Sequence, residues 1–190
     1  VALLDIIKKK SSISLDNGLF KFYRPIEDGL IKNLYQINTK NLDDVDPEIL
    51  RYGNGVSSDY SLFKTDNSII KNLERDLTVL IEKTFKSKIY IMESFFNIFK
   101  KGSGIIKHNH VTKFDKQNEL VKNKFSLVYY LSIGDQSGVD PGNLKLYDPE
   151  VEILPTDGMI LIFPAERFHK SSYSGKFDRV MVGVNFYTLG

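Results

Sequence analysis

The chain has 190 residues, enough for a domain with a substantial hydrophobic core, and its formal net charge is +2. It contains no cysteine, which excludes disulfides, thiolate nucleophiles and zinc–thiolate sites, so any metal must be held by nitrogen and oxygen ligands. The basic residues are scattered, apart from IKKKSS at 7–12, which favours a solvated terminal segment over a nucleic-acid or membrane patch. No apolar run approaches the ~20 residues that span a bilayer, and no secretory leader is recognisable, so we expect a cytoplasmic protein that binds neither nucleic acid nor a membrane.

The first half of the chain, residues 1–88, mixes strand and helix signals. GLFKFYRP at 18–25 alternates in the manner of a strand, and EDGLIKNLYQIN at 27–38 predicts a short helix. The clearest helix is predicted for DNSIIKNLERDLTVLIEKTF at 66–85, which opens on capping residues and carries apolar residues at helical spacing. These residues form one apolar stripe that has to pack against another element: Ile69, Ile70, Leu73, Leu77, Leu80 and Ile81.

From residue 89 onward the apolar period changes to two, which predicts strands. The segments that alternate in this way are 88–99, 125–133, 142–148, 158–164, 168–174 and 179–187. Many short strands at close spacing are typical of a sandwich or jelly roll. We therefore predict a mainly β (α+β) fold over residues 1–190 as a single domain. Residues 89–190 would form the jelly-roll core, and the N-terminal helices of residues 1–88 would pack on one of its sheets.

Two of the predicted strands have faces of unequal character. In FSLVYYLSI at 125–133 the odd positions are apolar or aromatic, whereas in RVMVGVNFY at 179–187 the apolar positions are the even ones. A uniformly apolar face suits packing on the helices, and the mixed opposite face suits the lining of a ligand cavity. Tyr130 and Asn185 lie on these mixed faces. Asn185 and Asn97 are candidates for cavity lining, with structural hydrogen bonding as the alternative for both asparagines.

The sequence HNH at 108–110 places two of the three histidines of the chain one residue apart. In an extended segment, residues i and i+2 point to the same side, so His108 and His110 could both meet one metal ion; surface histidines on an edge strand are the alternative. The third histidine, His169, lies on a later predicted strand that a jelly roll can bring alongside. If the chain reverses at Ser174, residue 169 falls opposite Arg179 on an antiparallel pair, where the guanidinium could clamp an anion bound to the metal.

This pattern resembles the Fe(II)/2-oxoglutarate-dependent dioxygenases, in particular their prolyl-hydroxylase-like branch and a group of bacterial and phage oxygenases. The resemblance covers residues 93–188 and is carried by ESFFNIFKKGSGIIKHNH, SLVYYLS, GNLKLYDPE, DGMILIFPAERFHKS and RVMVGVNFY. It implies a double-stranded β-helix (jelly-roll) fold, Fe(II) as the metal, 2-oxoglutarate and O2 as cosubstrates, and ascorbate as a reductant. By position it also implies that His108, His110 and His169 bind the iron and that Arg179 binds the far carboxylate of 2-oxoglutarate. Tyr130 would assist Arg179, with a purely structural core tyrosine as the alternative.

His110 departs from the family pattern, which usually has an aspartate at this position. Imidazole binds Fe(II) well, but the loss of the carboxylate leaves the site one charge unit more positive. Asp115 is an alternative source of a carboxylate ligand. The resemblance implies hydroxylation of an unidentified peptide, such as a peptidyl proline, or of a small molecule. Two alternatives stay open: a three-histidine iron dioxygenase that does not use 2-oxoglutarate, and a metal- or ligand-binding jelly-roll module without turnover.

Overall fold

The computed structural model describes residues 13–15, 18–45 and 50–190, so the basic run at 7–12 lies outside the described residues. The strands are β1 (Ile13–Leu15), β2 (Leu19–Tyr23), β3 (Lys40–Asn41), β4 (Arg51–Tyr52), β5 (Gly55–Ser57), β6 (Ile89–Phe99), β7 (Ser103–His108), β8 (Lys124–Ser132), β9 (Leu144–Leu146), β10 (Val151–Ile153), β11 (Met159–Pro164), β12 (His169–Tyr173) and β13 (Arg179–Thr188). The helices are α1 (Leu30–Leu34), α2 (Ser68–Phe85) and α3 (Lys113–Gln117), with 3-10 turns at Leu42–Asp44, Leu62–Lys64 and Val121–Asn123. No helix in this described part of the chain is both long and apolar enough to cross a membrane.

The strands form two antiparallel sheets, which confirms the predicted jelly roll. The larger sheet has eight strands in the order β1-β2-β11-β8-β13-β6-β5-β3, and the smaller has five in the order β10-β9-β12-β7-β4. Each segment predicted to be a strand contains one, although β9 is shorter than predicted. Strands β1, β3, β4, β5, β7 and β10 were not predicted. Five of these six have only two or three residues, too few to show alternation.

Helix α2 forms the layer that covers one face of the eight-stranded sheet. The side chain of Asn67 caps it by accepting hydrogen bonds from the backbone nitrogens of Ile69 (3.0 Å) and Ile70 (3.3 Å). Its buried apolar stripe belongs to one core cluster with residues of β8, β11 and β13, among them Tyr129 and Val182. The prediction that an N-terminal helix packs on one sheet is therefore confirmed.

The two faces of β8 and β13 divide as the alternation predicted. Leu127, Tyr129 and Leu131 of β8, with the alternate valines of β13, belong to the cluster beneath α2. Ser126, Val128 and Tyr130, with Met181, Gly183 and Asn185 of β13, instead line a cavity between the two sheets. One sheet thus provides a core face and a cavity face.

The predicted antiparallel pair of His169 and Arg179 is wrong. Strand β12 belongs to the five-stranded sheet and β13 to the eight-stranded sheet, so the segment between them crosses from one sheet to the other. His169 lies opposite His108, and Arg179 lies opposite Phe99. Two strands joined by a short connection pair with each other only when both belong to the same sheet. The local sequence does not show whether the second strand joins the same sheet or the other one.

Candidate metal centre

His108 and His169 meet because the pairing of β7 with β12 places them directly opposite each other. Residues opposed on an antiparallel pair have β-carbons about 5 Å apart and side chains on the same face of the sheet. Both histidines are buried, and their ring centroids are 4.3 Å apart. The ring of Phe163 packs against His169 with a centroid distance of 5.0 Å and forms an apolar wall beside it.

His110 joins this pair from outside the strand, since β7 ends at His108. Its backbone nitrogen donates to the carbonyl oxygen of Ala165 (2.9 Å), which ties it to the turn that leads into β12. Its ring centroid lies 4.9 Å from that of His108 and 5.0 Å from that of His169. One ligand nitrogen from each histidine lies within 4.8 Å of the others, close enough for all three to bind one ion.

Hydrogen bonds prepare His108 and His169 for metal binding, and burial lowers the pKa of His169 and His110. His108 Nδ1 lies 2.9 Å from the carbonyl oxygen of Ile106, and His169 Nδ1 lies 3.2 Å from that of Arg167. Because a carbonyl only accepts, each Nδ1 carries the proton and each Nε2 keeps its lone pair for a metal. Burial, together with the nearby His108, lowers the pKa of His169 to about 3. Burial, followed by the charges of His169 and His108, also lowers the pKa of His110 well below its usual value.

The donor set therefore fits a divalent transition metal. The lowered pKa values favour the uncharged form of His110 and His169, which is the form that ligates, and imidazole nitrogen is a suitable ligand for Fe(II) and its first-row neighbours.

Asp115 is engaged elsewhere, so the interpretation of it as a substitute metal ligand is wrong. It is fully buried and forms a capping box with Thr112 at the start of α3. Its Oδ2 accepts from Lys124 Nζ (2.8 Å) and from the Thr112 backbone nitrogen (2.6 Å), and its Oδ1 accepts from the Tyr187 hydroxyl. This buried network anchors the segment that follows His110.

Replacing Asp115 with asparagine is expected to lower the free energy of unfolding at neutral pH by about 3 kcal/mol, because it leaves the Lys124 ammonium buried without its counterion. Burial raises the pKa of Asp115, but the hydrogen bonds from Lys124 and Tyr187 outweigh it and lower the pKa to about 2. A carboxyl whose pKa is lowered on folding stabilises the fold above its unfolded pKa of about 3.9 and loses that contribution as the pH falls through the folded value. The difference between wild type and variant should therefore shrink from pH 5 toward pH 2 in urea titrations. As a matched control, Glu150→Gln removes the more exposed ion pair with Lys145 and should cost less than about 1 kcal/mol.

Arg179 is a fully buried cation, and none of the ion pairs among the described residues includes it. Its guanidinium carbon lies 5.0 Å from the ring centroid of Tyr130 and 5.8 Å from that of Tyr173, and Nη1 points at the carbonyl oxygen of Pro141 (3.5 Å). Nε and Nη2 have no hydrogen-bond partner. These two nitrogens lie on the same edge of the guanidinium, the edge that binds a carboxylate in bidentate fashion.

The environment of Arg179 favours an anionic guest. Burial lowers the pKa of Arg179 while Tyr130 and Tyr173 raise it, and an arginine stays protonated in spite of such a shift. Burial also raises the pKa of Tyr130 to about 12, against the charge of Arg179, so its hydroxyl keeps a proton to donate. A buried charge is costly unless it is paired, which makes an anion the natural complement of this cation.

Gly142 leaves the room that the Arg179 side chain occupies. Its φ is +87°, and a β-carbon there would overlap Nη1 and lie 2.6 Å from the guanidinium carbon. We expect Gly142→Ala to displace the guanidinium. The 2-oxoglutarate binding that the sequence resemblance implies should then weaken by at least tenfold, the effect of about 1.4 kcal/mol. Equilibrium binding of 2-oxoglutarate to the metal-loaded protein measures this, with Gly102→Ala as the control. Gly102 also has a positive φ (+82°), but a β-carbon there meets nothing within 4 Å. Equal losses in the two variants would contradict the steric explanation.

Two cavities adjoin the histidines. The inner one lies between the sheets and is lined by Tyr130, Asn97 and Asn185, the residues that the sequence predicted for a cavity; Arg179 does not line it but contacts Tyr130, which does. The outer one has a volume of about 480 Å³, within the range of small-molecule sites, and borders His108 and His110.

The sequence did not predict three further lining residues: Arg51, which borders both cavities, Ser171 in the inner one and Glu93 in the outer one. Glu93 and Asn97 are both odd-numbered residues of β6, so alternation places them on the same face of the strand. This pattern could have predicted Glu93 as a lining residue. Arg51 lies on the two-residue strand β4, where no periodicity can be read.

Known proteins share this fold, although the sequence matches no family model and no curated protein is significantly similar to it. A prolyl-4-hydroxylase from Pseudomonas putida superposes with a TM-score of 0.65 at 16% identity, covering 99% of this chain and 98% of that one. A Trichoplax adhaerens prolyl hydroxylase, in complex with a peptide fragment of hypoxia inducible factor, has a TM-score of 0.65 at 18% identity, with 91% and 84% covered. HygX from Streptomyces hygroscopicus, with nickel, 2-oxoglutarate and hygromycin B bound, has a TM-score of 0.67 at 11% identity, with 98% and 86% covered. The chain therefore has the same jelly-roll fold as these two prolyl hydroxylases and HygX.

Proposed function

We propose that this protein is an Fe(II)- and 2-oxoglutarate-dependent dioxygenase that hydroxylates a C–H bond of its substrate. The observation that carries the proposal is the pairing of two features inside one jelly roll. Three imidazoles converge within metal-binding distance, and a buried guanidinium keeps a free edge for a carboxylate. A fold on its own does not imply function, so the argument depends on these two groups.

His108, His110 and His169 would hold the iron, and the inner cavity would hold 2-oxoglutarate. The free edge of Arg179 would bind the far carboxylate, with the Tyr130 hydroxyl as a further donor. Iron bound here would supply the O2-dependent conversion of 2-oxoglutarate to succinate and CO2, in which the second oxygen atom enters the substrate as a hydroxyl group. Apolar side chains such as Phe163, Leu144 and Met181 line the cavity and exclude water from the reacting groups.

The three-histidine ligand set raises the charge of this site. Neutral imidazole replaces the usual carboxylate, so the ligands leave the charge of Fe(II) uncompensated. Dianionic 2-oxoglutarate would compensate that charge at the metal and would pair with Arg179 at its other end. This charge balance supports an anion that reaches from the metal to Arg179. 2-Oxoglutarate is the anion that the sequence resemblance implies, and the alternative of a substrate carboxylate on Arg179 is separated from it by the test below.

The outer cavity would admit the substrate, because it borders His108 and His110 on the open side of the site. Its volume suits an amino-acid side chain of a peptide or a small molecule. The structural neighbours include one protein with a bound peptide and one with bound hygromycin B, so both substrate classes remain candidates.

The proposal is tested by titrating 2-oxoglutarate into the anaerobic Fe(II)-loaded protein and then admitting O2. We expect a visible charge-transfer band as 2-oxoglutarate chelates the iron, followed by succinate and CO2 in equal amounts. Iron binding without 2-oxoglutarate binding would overturn the proposal in favour of the three-histidine dioxygenase. Binding of both without succinate, even after a screen of peptide and small-molecule substrates, would point to a module without turnover.

A further inference from the structure

We propose that the side-chain amide of Asn185 positions His110 for metal binding by selecting which of its ring nitrogens carries the proton. The inference rests on the proposed function, because it takes His110 as a metal ligand. It adds a positioning residue, Asn185, and a carboxylate, Glu93, whose hydrogen bond to Asn185 favours the non-ligating form of His110.

The sheet register brings these groups together. Asn185 lies near the middle of β13, opposite Glu93 of β6 on one side and Ser126 of β8 on the other. It is 2% exposed, and its Oδ1 accepts from the Ser126 hydroxyl (2.7 Å). Its Nδ2 donates to Glu93 Oε2 (2.6 Å) and lies 3.3 Å from His110 Nδ1. Asn185 therefore joins a carboxylate to a metal-site imidazole.

His110 differs from the other two histidines in the partner of its Nδ1. His108 and His169 place Nδ1 against carbonyl oxygens, which keeps the proton on Nδ1 and the lone pair on Nε2. The Nδ1 of His110 instead faces an N–H donor and accepts from it, so the proton of the neutral ring is on Nε2. In this state His110 Nε2 has no lone pair for a metal.

A half-turn of the Asn185 amide would convert His110 into the ligating form. It exchanges Oδ1 and Nδ2, so that Oδ1 accepts from His110 Nδ1–H and Nδ2 donates to the Ser126 hydroxyl, which can accept as well as donate. The hydrogen bond to Glu93 would be lost, because its carboxylate would then face Oδ1, which is also an acceptor. Glu93 is only half-buried and borders the outer cavity, so its side chain has room to turn away.

Glu93 is also the one acidic residue among the described residues that line the two cavities. The ligand set contains no carboxylate, and the nearest carboxylate in the hydrogen-bond network reaches His110 through Asn185. A carboxylate that accepts from the outer nitrogen of a ligating histidine fixes its tautomer and makes it a stronger donor to the metal. Moving the carboxylate from position 93 to position 185 should therefore strengthen metal binding.

The experiment compares Co(II) affinity and the Co(II) absorption spectrum, without 2-oxoglutarate, in the wild type and three variants. Asn185→Leu removes both polar ends of the amide, and we expect it to weaken binding by about tenfold or more. The double variant Glu93→Gln/Asn185→Asp keeps every hydrogen bond but places the carboxylate on His110, and it should tighten binding by about tenfold. The matched control is Asn143→Leu, which also removes an amide that donates to a glutamate (Glu152, 2.6 Å) but lies outside both cavities, and its affinity should equal that of wild type.

The outcomes separate this inference from the proposed function. If the wild type binds no Co(II), the metal centre fails and this inference fails with it. If the wild type binds but Asn185→Leu and the double variant stay within twofold of it, only the role of Asn185 is overturned. A loss in Asn185→Leu without a gain or a spectral shift in the double variant would assign Asn185 to packing and would also overturn it. Thermal unfolding of each metal-free protein establishes that it is folded. If Asn185→Leu does not fold, the double variant alone tests the role of Asn185.

Discussion

Replacing His169 with alanine is expected to lower metal affinity by at least about 100-fold and to reduce succinate formation to background. Loss of a hydrogen-bond partner outside the ligands already costs about 10- to 100-fold in affinity, and loss of a ligand removes a direct bond to the metal. His169 also lies opposite His108 in the five-stranded sheet, so this substitution breaks the ligand pair that the two strands hold on one face. Metal titration and the succinate assay measure the two effects separately.

The neighbouring Phe168→Ala is the control for the loss of a ring from the same region. Phe168 is 41% exposed, outside the cavity lining, so we expect wild-type metal affinity and turnover from this variant. Retention of metal affinity and succinate formation by His169→Ala would show that the metal centre is not the histidine cluster.

Replacing Arg179 with methionine is expected to weaken 2-oxoglutarate binding by about 100-fold while leaving metal affinity unchanged. Truncating one partner of a buried, hydrogen-bonded charge pair costs about 2–5 kcal/mol, and each 1.4 kcal/mol is a factor of ten. The stability of the metal-free protein, by contrast, should not decrease. Replacing a buried, unpaired guanidinium by an apolar side chain of similar volume should leave the free energy of unfolding unchanged or raise it by about 1–4 kcal/mol.

An arginine that binds a ligand should give weaker 2-oxoglutarate binding and unchanged or higher stability when it is replaced, whereas a purely structural arginine should give lower stability and unchanged binding. Urea titration of the metal-free protein and equilibrium binding of 2-oxoglutarate to the metal-loaded protein are the two measurements. Arg179→Lys keeps the charge but not the two-pronged edge, so it should bind 2-oxoglutarate with intermediate affinity. A destabilised Arg179→Met protein with unchanged 2-oxoglutarate affinity would assign Arg179 to the fold alone.

The parts of this protein that the sequence predicted are those set by local periodicity. Helix α2 was recognised because its cap and its apolar stripe are encoded within one segment. Strands β6, β8, β9, β11, β12 and β13 were recognised through their period of two, whereas β7 and β10 were not. The same alternation separated the core face of β8 and β13 from the cavity face. The two-residue strands β3 and β4 escaped, and Arg51 escaped with β4, because two residues cannot show a period.

The sequence by itself determined the chemical inventory of the site. A chain with three histidines and no cysteine offers a transition metal nitrogen and oxygen ligands but no thiolate. The histidine at position 110 makes the proposed site one charge unit more positive than a site with aspartate there. The tertiary structure alone decided how those groups are arranged. It paired His169 with His108 instead of Arg179, engaged Asp115 with Lys124, and joined His110 to Glu93 through Asn185. The physical reason is that alternation specifies which face a side chain occupies, whereas strand partners are chosen by contacts between residues far apart in the chain, which no local pattern records.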